Sequence, residues 1–304
     1  MNGLKSGLKP VLWSGAALGL LLLLAVPGLN LPAMLLMMVP YAVLYATLPK
    51  ASFVVHVLPV WLVAAFLLGP SFVLLLGLFF MVPGIFMGHM YRKAVPAAKV
   101  LRIVTIVILA LLMMELLMLE IILDFSLLAA MKDTIGATFN DVMAQSGITG
   151  WDEDMSELLV ATIVNMIPLT FIVLSFLYAV ITHYIARRAV MGSGLEVPAF
   201  PEAREWKLPR VLVVYYLIAY MVELVMPRGS DSFLAIALMN LVPLLSYVFA
   251  IQAIGFFFFI AHQRGWSKAV PIVIAIPVLL IPPLSLIGVL DTAFPMIRKS
   301  FTKQ

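Results

Sequence analysis

Apolar runs of helix length follow one another along almost the whole chain, and short polar joints separate them. Nine such runs can be marked, over residues 11–27, 31–48, 51–68, 70–91, 100–125, 157–186, 210–226, 232–262 and 268–294. A helix rises about 1.5 Å per residue, so a run near twenty residues matches the ~30 Å hydrocarbon core of a bilayer. The pattern predicts an all-α, polytopic transmembrane helical bundle of about nine membrane segments, one integral membrane domain over residues 1–304.

Proline and glycine mark most joints, at Pro27-Gly28, Pro49, Gly69-Pro70, Pro209, Pro227 and Gly265. Several runs also carry internal prolines, among them Pro40, Pro83, Pro168, Pro243 and the pair Pro282-Pro283. Such breaks are tolerated in a membrane where neighbouring helices or water satisfy the freed carbonyls, and they are more typical of a cavity-forming bundle than of a simple anchor. Two joints are longer. Residues 126–156 are acidic, with Leu128, Met131, Ile135, Phe139 and Val142 at helical spacing, which predicts an outer amphipathic helix. It either continues the fifth span or lies on the membrane, with Asp154 or Ser156 capping the sixth helix. Residues 187–209 are basic and rich in Gly and Pro, and are read as an inner loop.

Charge placement sets the orientation. With the N-terminus cytoplasmic and every run crossing, fourteen Lys and Arg residues, from Lys5 and Lys9 to Arg264 and Lys268, fall in inner joints, while only Lys132 and Arg228 fall in outer ones. The tail is the misfit: nine crossings put Arg298, Lys299 and Lys303 outside, unless the last run breaks at Pro282-Pro283 and returns. Lys5 and Lys9 ahead of an apolar stretch resemble a signal peptide, but Ala25-Val26-Pro27 is no cleavage site and further spans follow at once, so a retained first helix is expected.

Composition narrows the chemistry. Hydrophobic residues make up 64% of the 304 and charged ones 11%, against about 45–50% and about 25% in soluble domains. Mean hydropathy is +1.13 and the pI near 9.3. The basic residues sit at helix ends, which points to topology and anionic lipid rather than nucleic acid. The absence of cysteine excludes disulfides, thiolate metal sites and a Cys nucleophile. Neither metal spacing nor a nucleophile-base pair stands out, so no catalytic residue, metal or cofactor is assigned.

Polar residues inside the apolar runs are the candidates for ligand or ion binding. Glu115 lies near the middle of the fifth run, where an unpaired charge costs roughly 2.5–3.5 kcal/mol, so it should face protein or water. Glu120 and Asp124 follow towards the outer interface. Asn165 precedes Pro168 in the sixth run, and Asn240 precedes Pro243 in the eighth, with Gln252 beyond it. Broken helices of this kind build transporter sites near the midplane, although kinks closed by a local amide serve packing alone. His89, His183 and His262 fall at predicted inner helix ends beside Arg92, Arg187 and Arg264. They read as an interfacial basic-aromatic belt, or as a phosphate or headgroup site. Gly15 with Gly19, and Gly84 with Gly88, are two GxxxG spacings that let helix backbones approach.

Longer motifs carry a resemblance. Ser14-Gly15-Ala16-Ala17, Gly69-Pro70 and Pro83-Gly84-Ile85-Phe86-Met87-Gly88 mark the N-terminal half. Phe200-Pro201 and Trp206-Lys207-Leu208-Pro209 mark the inner loop, and Leu286-Ile287-Gly288-Val289-Leu290-Asp291 followed by Arg298-Lys299 marks the C-terminus. Together these resemble the YybS-like family of bacterial multi-pass membrane proteins, grouped under a domain of unknown function. The N-terminal helices of that family are in turn similar to the S components of energy-coupling-factor transporters. The resemblance implies a small-molecule ligand, a membrane partner subunit, and Gly15 and Gly19 as partner-docking positions. This chain departs from a six-helix S component by about three further segments.

The functional expectation is a transporter-like protein of the plasma membrane that binds a small solute or ion, as one subunit of a larger complex in the fullest form of that reading. The alternative is a regulatory or scaffolding membrane protein whose interior polar residues only fix packing. Convergence of Glu115, Asn165 and Gln252 on one water-accessible cavity would separate the two.

Overall fold

A computed structural model describes residues 2–146, 153–227, 232–294 and 296–302. Every regular element among them is helical. In chain order these are α1 (Asn2–Leu24), α2 (Asn30–Leu36), α3 (Met38–Thr47), α4 (Lys50–Leu68), α5 (Pro70–Arg92), α6 (Ala97–Leu123) and α7 (Leu127–Ser146). They continue with α8 (Glu153–Asn165), α9 (Ile167–Met191), α10 (Val211–Val225), α11 (Phe233–Gln263), α12 (Ala269–Leu280), α13 (Ser285–Ala293) and α14 (Met296–Thr302). Six stretches of the described residues are long and apolar enough to cross a membrane: Asn30–Thr47, Lys50–Leu68, Pro70–Arg92, Ala97–Ile122, Ile167–Met191 and Phe233–Gln263. Large apolar side chains face outward, Phe66 at 89% exposure and Phe233 at 88%. Water would not tolerate so apolar a surface, and lipid solvates it. The chain is an all-α, polytopic membrane protein.

Two compact units divide it, one from positions 1–123 with 171–200, the other from 124–170 with 201–304. In the first unit the closest helix pair is α3 with α5. A Cβ added at Gly84 would lie 2.8 Å from Tyr41 Cβ, and one at Gly88 would lie 2.7 Å from the Ala42 carbonyl oxygen, so only glycine lets these backbones meet. At Gly15 and Gly19 an added Cβ meets nothing within 4 Å, and both residues are exposed. Gly15 and Gly19 of α1 therefore meet no neighbouring helix among the described residues. Basic residues tie helix ends together in this unit. Lys9 Nζ donates to the Gly192 carbonyl at 2.9 Å, and Arg92 donates to the carbonyls of Tyr45, Ala46 and Leu48, where α3 ends. Tyr91 and His183, from α5 and α9, join through a 2.9 Å hydrogen bond.

The second unit is built on the 31-residue α11. The run 157–186 is divided into α8 and α9 around Met166. In a continuous helix the Leu169 N–H would bond to the Asn165 carbonyl. Instead the Asn240 side chain from α11 stands between them: its Oδ1 accepts from Leu169 N at 2.9 Å, and its Nδ2 donates to Asn165 O at 2.8 Å. The amide replaces the missing rung. Because α8 already begins at Glu153, Ser156 is no cap; its hydroxyl donates to Asn140 Oδ1 of α7 at 2.8 Å, and the Asp154 side chain lies outside the described residues. Lys303 and Arg228 also lie outside them.

The last apolar run, 268–294, is interrupted at Pro282–Leu284 by a 3-10 turn. The arm before it, α12, folds back along α11, so that Val278 packs with Ala250 and Ala253. The arm after it reverses: Ser285 meets Ser246, Gly288 meets Phe249 and Asp291 meets Gln252 in ascending order, so α13 runs parallel to α11. Twelve residues reach ~18 Å and nine reach ~14 Å, each short of a ~30 Å core. The two arms form a helical hairpin that returns the chain to the end of α11 from which it left. Its fit depends on Gly288, where a Cβ would lie 1.9 Å from the Phe249 carbonyl oxygen.

Candidate functional site

The return of α13 brings two separated sequence motifs together. Residues 201–210 fold over the last turns of α11 because Gly255 leaves room: a Cβ there would stand 2.8 Å from Ala203 O and 3.4 Å from Trp206 Cβ. The Trp206 indole closes the loop on itself by donating to Pro201 O at 3.0 Å. Its own carbonyl points inward and accepts from Gln252 Nε2 at 3.0 Å and from Arg298 Nη2 at 3.1 Å.

Arg298 also grips Asp291 with both forks, Nε to Oδ1 at 2.8 Å and Nη2 to Oδ2 at 2.7 Å, and donates to Arg204 O at 2.8 Å. Gln252 Nε2 adds a 2.6 Å bond to Asp291 Oδ2. The Asp291 side chain is 1% exposed and that of Arg298 10%. Burying two charges is costly, and here bidentate geometry with additional hydrogen bonds offsets the loss of water. The guanidinium also lies 5.1 Å from the Phe259 ring centre.

Above this clasp opens a cavity of about 810 Å³. Gln252, Asp291, Arg298, Thr292 and Phe259 form its floor, and Arg204, Glu205, Lys207, Arg210, His262 and Lys299 its polar wall. Five cationic side chains thus face two carboxylates. Arg204 is held by Glu202 at 2.6 Å and by His262 Nε2 at 2.5 Å. From Gln252 to Gln263 at the helix end is eleven residues, ~16 Å of rise, so the floor lies well below the rim.

Of the residues singled out by sequence, Gln252 and His262 line this cavity; Glu115, Asn165 and Asn240 do not. Glu115 is half-buried on α6, and no hydrogen bond or ion pair to another described residue holds it. Asn240 is committed to the α8–α9 junction. Sequence reasoning passed over Asp291 and Arg298 as site residues. The available signal was an acid alone in an apolar run with a base seven residues on, past Pro295 and the break between α13 and α14. A second groove, about 630 Å³ beside Phe53, Val57, Trp61 and Val73 in the first unit, is almost wholly apolar and offers no such chemistry.

The family described as "Predicted membrane protein (DUF2232)" matches residues 15–292. The chain belongs to this family. It is also similar to the Bacillus subtilis (strain 168) protein named "Uncharacterized protein YybS", with 24% identity over 228 residues, covering 71% of this chain and 72% of that one. No solved structure matches it. The match includes the 201–210 loop, α11 and Asp291, and stops just short of Arg298.

Proposed function

We propose that this DUF2232 member is a transporter-like, solute-binding protein of the plasma membrane, and that its ligand enters the cavity of the second unit from the cytoplasm. The observation that carries the reading is a concave site with a buried, fully hydrogen-bonded polar floor and a charged rim, the usual build of a small-molecule site. It does not rest on a convergence of Glu115, Asn165 and Gln252, because only the last reaches the cavity. A cytoplasmic N-terminus and 187–209 loop are supported by the basic bias. The helical hairpin supports it further by returning Arg298 and Lys299 to the end that holds Arg204 and His262. A membrane partner subunit remains part of the proposal. The exposed Gly15–Gly19 face of α1 supports it.

A single thiol tests this on a cysteine-free chain. Gln263→Cys, exposed on the cavity rim, should react with an impermeant maleimide in inside-out vesicles and not in intact cells. The low-molecular-mass fraction of cytosol should slow that reaction. Labelling from outside intact cells would overturn the orientation, and an unchanged rate with the cytosolic fraction would overturn the solute site. The regulatory or scaffolding reading would then stand, supported by the Asn240 bridge, a polar residue spent wholly on packing.

A further inference from the structure

We infer that the cavity of the second unit selects a phosphate-bearing anion; the inference rests on that cavity being a ligand site. The floor is electrically closed, since Arg298 and Asp291 neutralise each other and Arg298 spends further donors on the Arg204 and Trp206 carbonyls. The charge that a ligand meets is therefore that of the wall. There Arg204 is already paired with Glu202, and Lys207 and Arg210 stand against one carboxylate, Glu205. Lys207 and Arg210 are exposed, and no hydrogen bond or ion pair to another described residue engages either side chain.

One carboxylate needs only one guanidinium fork. A wall that offers an uncommitted guanidinium fork, Arg210, and an uncommitted ammonium, Lys207, matches a group with three or more oxygens and about two negative charges, which is a phosphate ester. The C-terminal end of α11 opposes this, because its carbonyls carry negative partial charge. That effect is muted here: Ile260 O, Ala261 O and His262 O accept from the N–H groups of Arg264, Trp266 and Gly265. A cavity near 810 Å³ exceeds a bare phosphate, and Phe259 on the floor offers an apolar face to the organic part of such a ligand. With the rim at the inner headgroup level, the phosphate arrives either on a phospholipid from the side or on a soluble ester from the cytosol.

The full chain carrying Gln263→Cys, in phosphatidylcholine nanodiscs, distinguishes these sources. Glycerol 3-phosphate and pyrophosphate are added in solution in one arm; in the other, phosphatidylglycerol replaces part of the phosphatidylcholine. Slower maleimide labelling with a soluble probe supports a free phosphorylated solute, and slowing only with phosphatidylglycerol supports a lipid headgroup. In either case Lys207→Gln with Arg210→Gln should weaken protection at least about tenfold, with the thermal midpoint unchanged because both side chains are exposed. Citrate is the control. Protection by citrate as strong as by pyrophosphate would overturn phosphate selectivity while leaving a ligand site. Failure of both phosphate arms while the cytosolic fraction still protects would do the same. Protection by nothing would remove the site itself.

Discussion

Replacing Arg298 with Met leaves Asp291 as a buried carboxylate with one side-chain donor, Gln252 Nε2 at 2.6 Å. Two charge-assisted bonds at 2.8 and 2.7 Å are lost, from an acid whose side chain is 1% exposed. Removing one partner of a buried pair typically costs ~3–5 kcal/mol, mostly the cost of the charge left behind. In micelles the value should fall towards the low end, since an unfolded membrane chain also finds polar partners. Asp291→Leu should cost less than Arg298→Met, because Arg298 keeps the Arg204 and Trp206 carbonyls and is partly exposed. The double variant Asp291→Leu with Arg298→Met removes both charges. It should cost several kcal/mol less than the sum of the singles, a coupling that a double-mutant cycle reads directly. Equilibrium unfolding in mixed detergent and dodecyl sulfate micelles supplies all four corners. Single costs below ~1 kcal/mol, or strict additivity, would refute the clasp as the element that seats α13 against the loop.

Other positions give sharper contrasts. Gly288→Ala places a Cβ 1.9 Å from Phe249 O and should lower the thermal midpoint markedly, whereas Gly15→Leu should leave it unchanged and alter only the set of co-purifying proteins; equal effects would contradict the packing described for α13 and α1. Asn240→Leu orphans the Leu169 N–H and the Asn165 carbonyl and should destabilise by ~1–3 kcal/mol, with faster hydrogen exchange confined to the α8–α9 junction; unchanged exchange there would remove the bridge. Glu115→Gln should fold and retain solute protection of the cavity thiol, because Glu115 does not line that cavity; lost protection would make it part of the ligand pathway.

Much of the helical architecture was legible because lipid imposes it: a bilayer demands apolar length, and apolar length is written in consecutive residues. Joint positions such as Pro49, Gly69-Pro70 and Gly265 followed from local backbone chemistry, and helices do end beside them. What stayed hidden depended on distant partners. Asn165 and Pro168 marked a weak point in the sixth run, yet the amide that closes it comes from Asn240, 75 residues away. Gly15–Gly19 and Gly84–Gly88 share one spacing, but among the described residues only the second meets a neighbouring helix. The spacing says that backbones can approach, not what approaches. The run 268–294 had the length of a span, and the Pro282-Pro283 pair with the misplaced basic tail hinted that it turns back. With the turn in place, Arg298 and Lys299 reach the end of α11 that holds Arg204 and His262, and they line the cavity.

A structure of the full chain extracted from native membranes in a polymer disc, without detergent, tests the cavity most directly. The expected result is non-protein density above the Asp291–Arg298 clasp, within hydrogen-bonding reach of Lys207 and Arg210. A cavity filled by the chain's own side chains, or one holding only ordered water with Lys207 and Arg210 turned to bulk solvent, would contradict it.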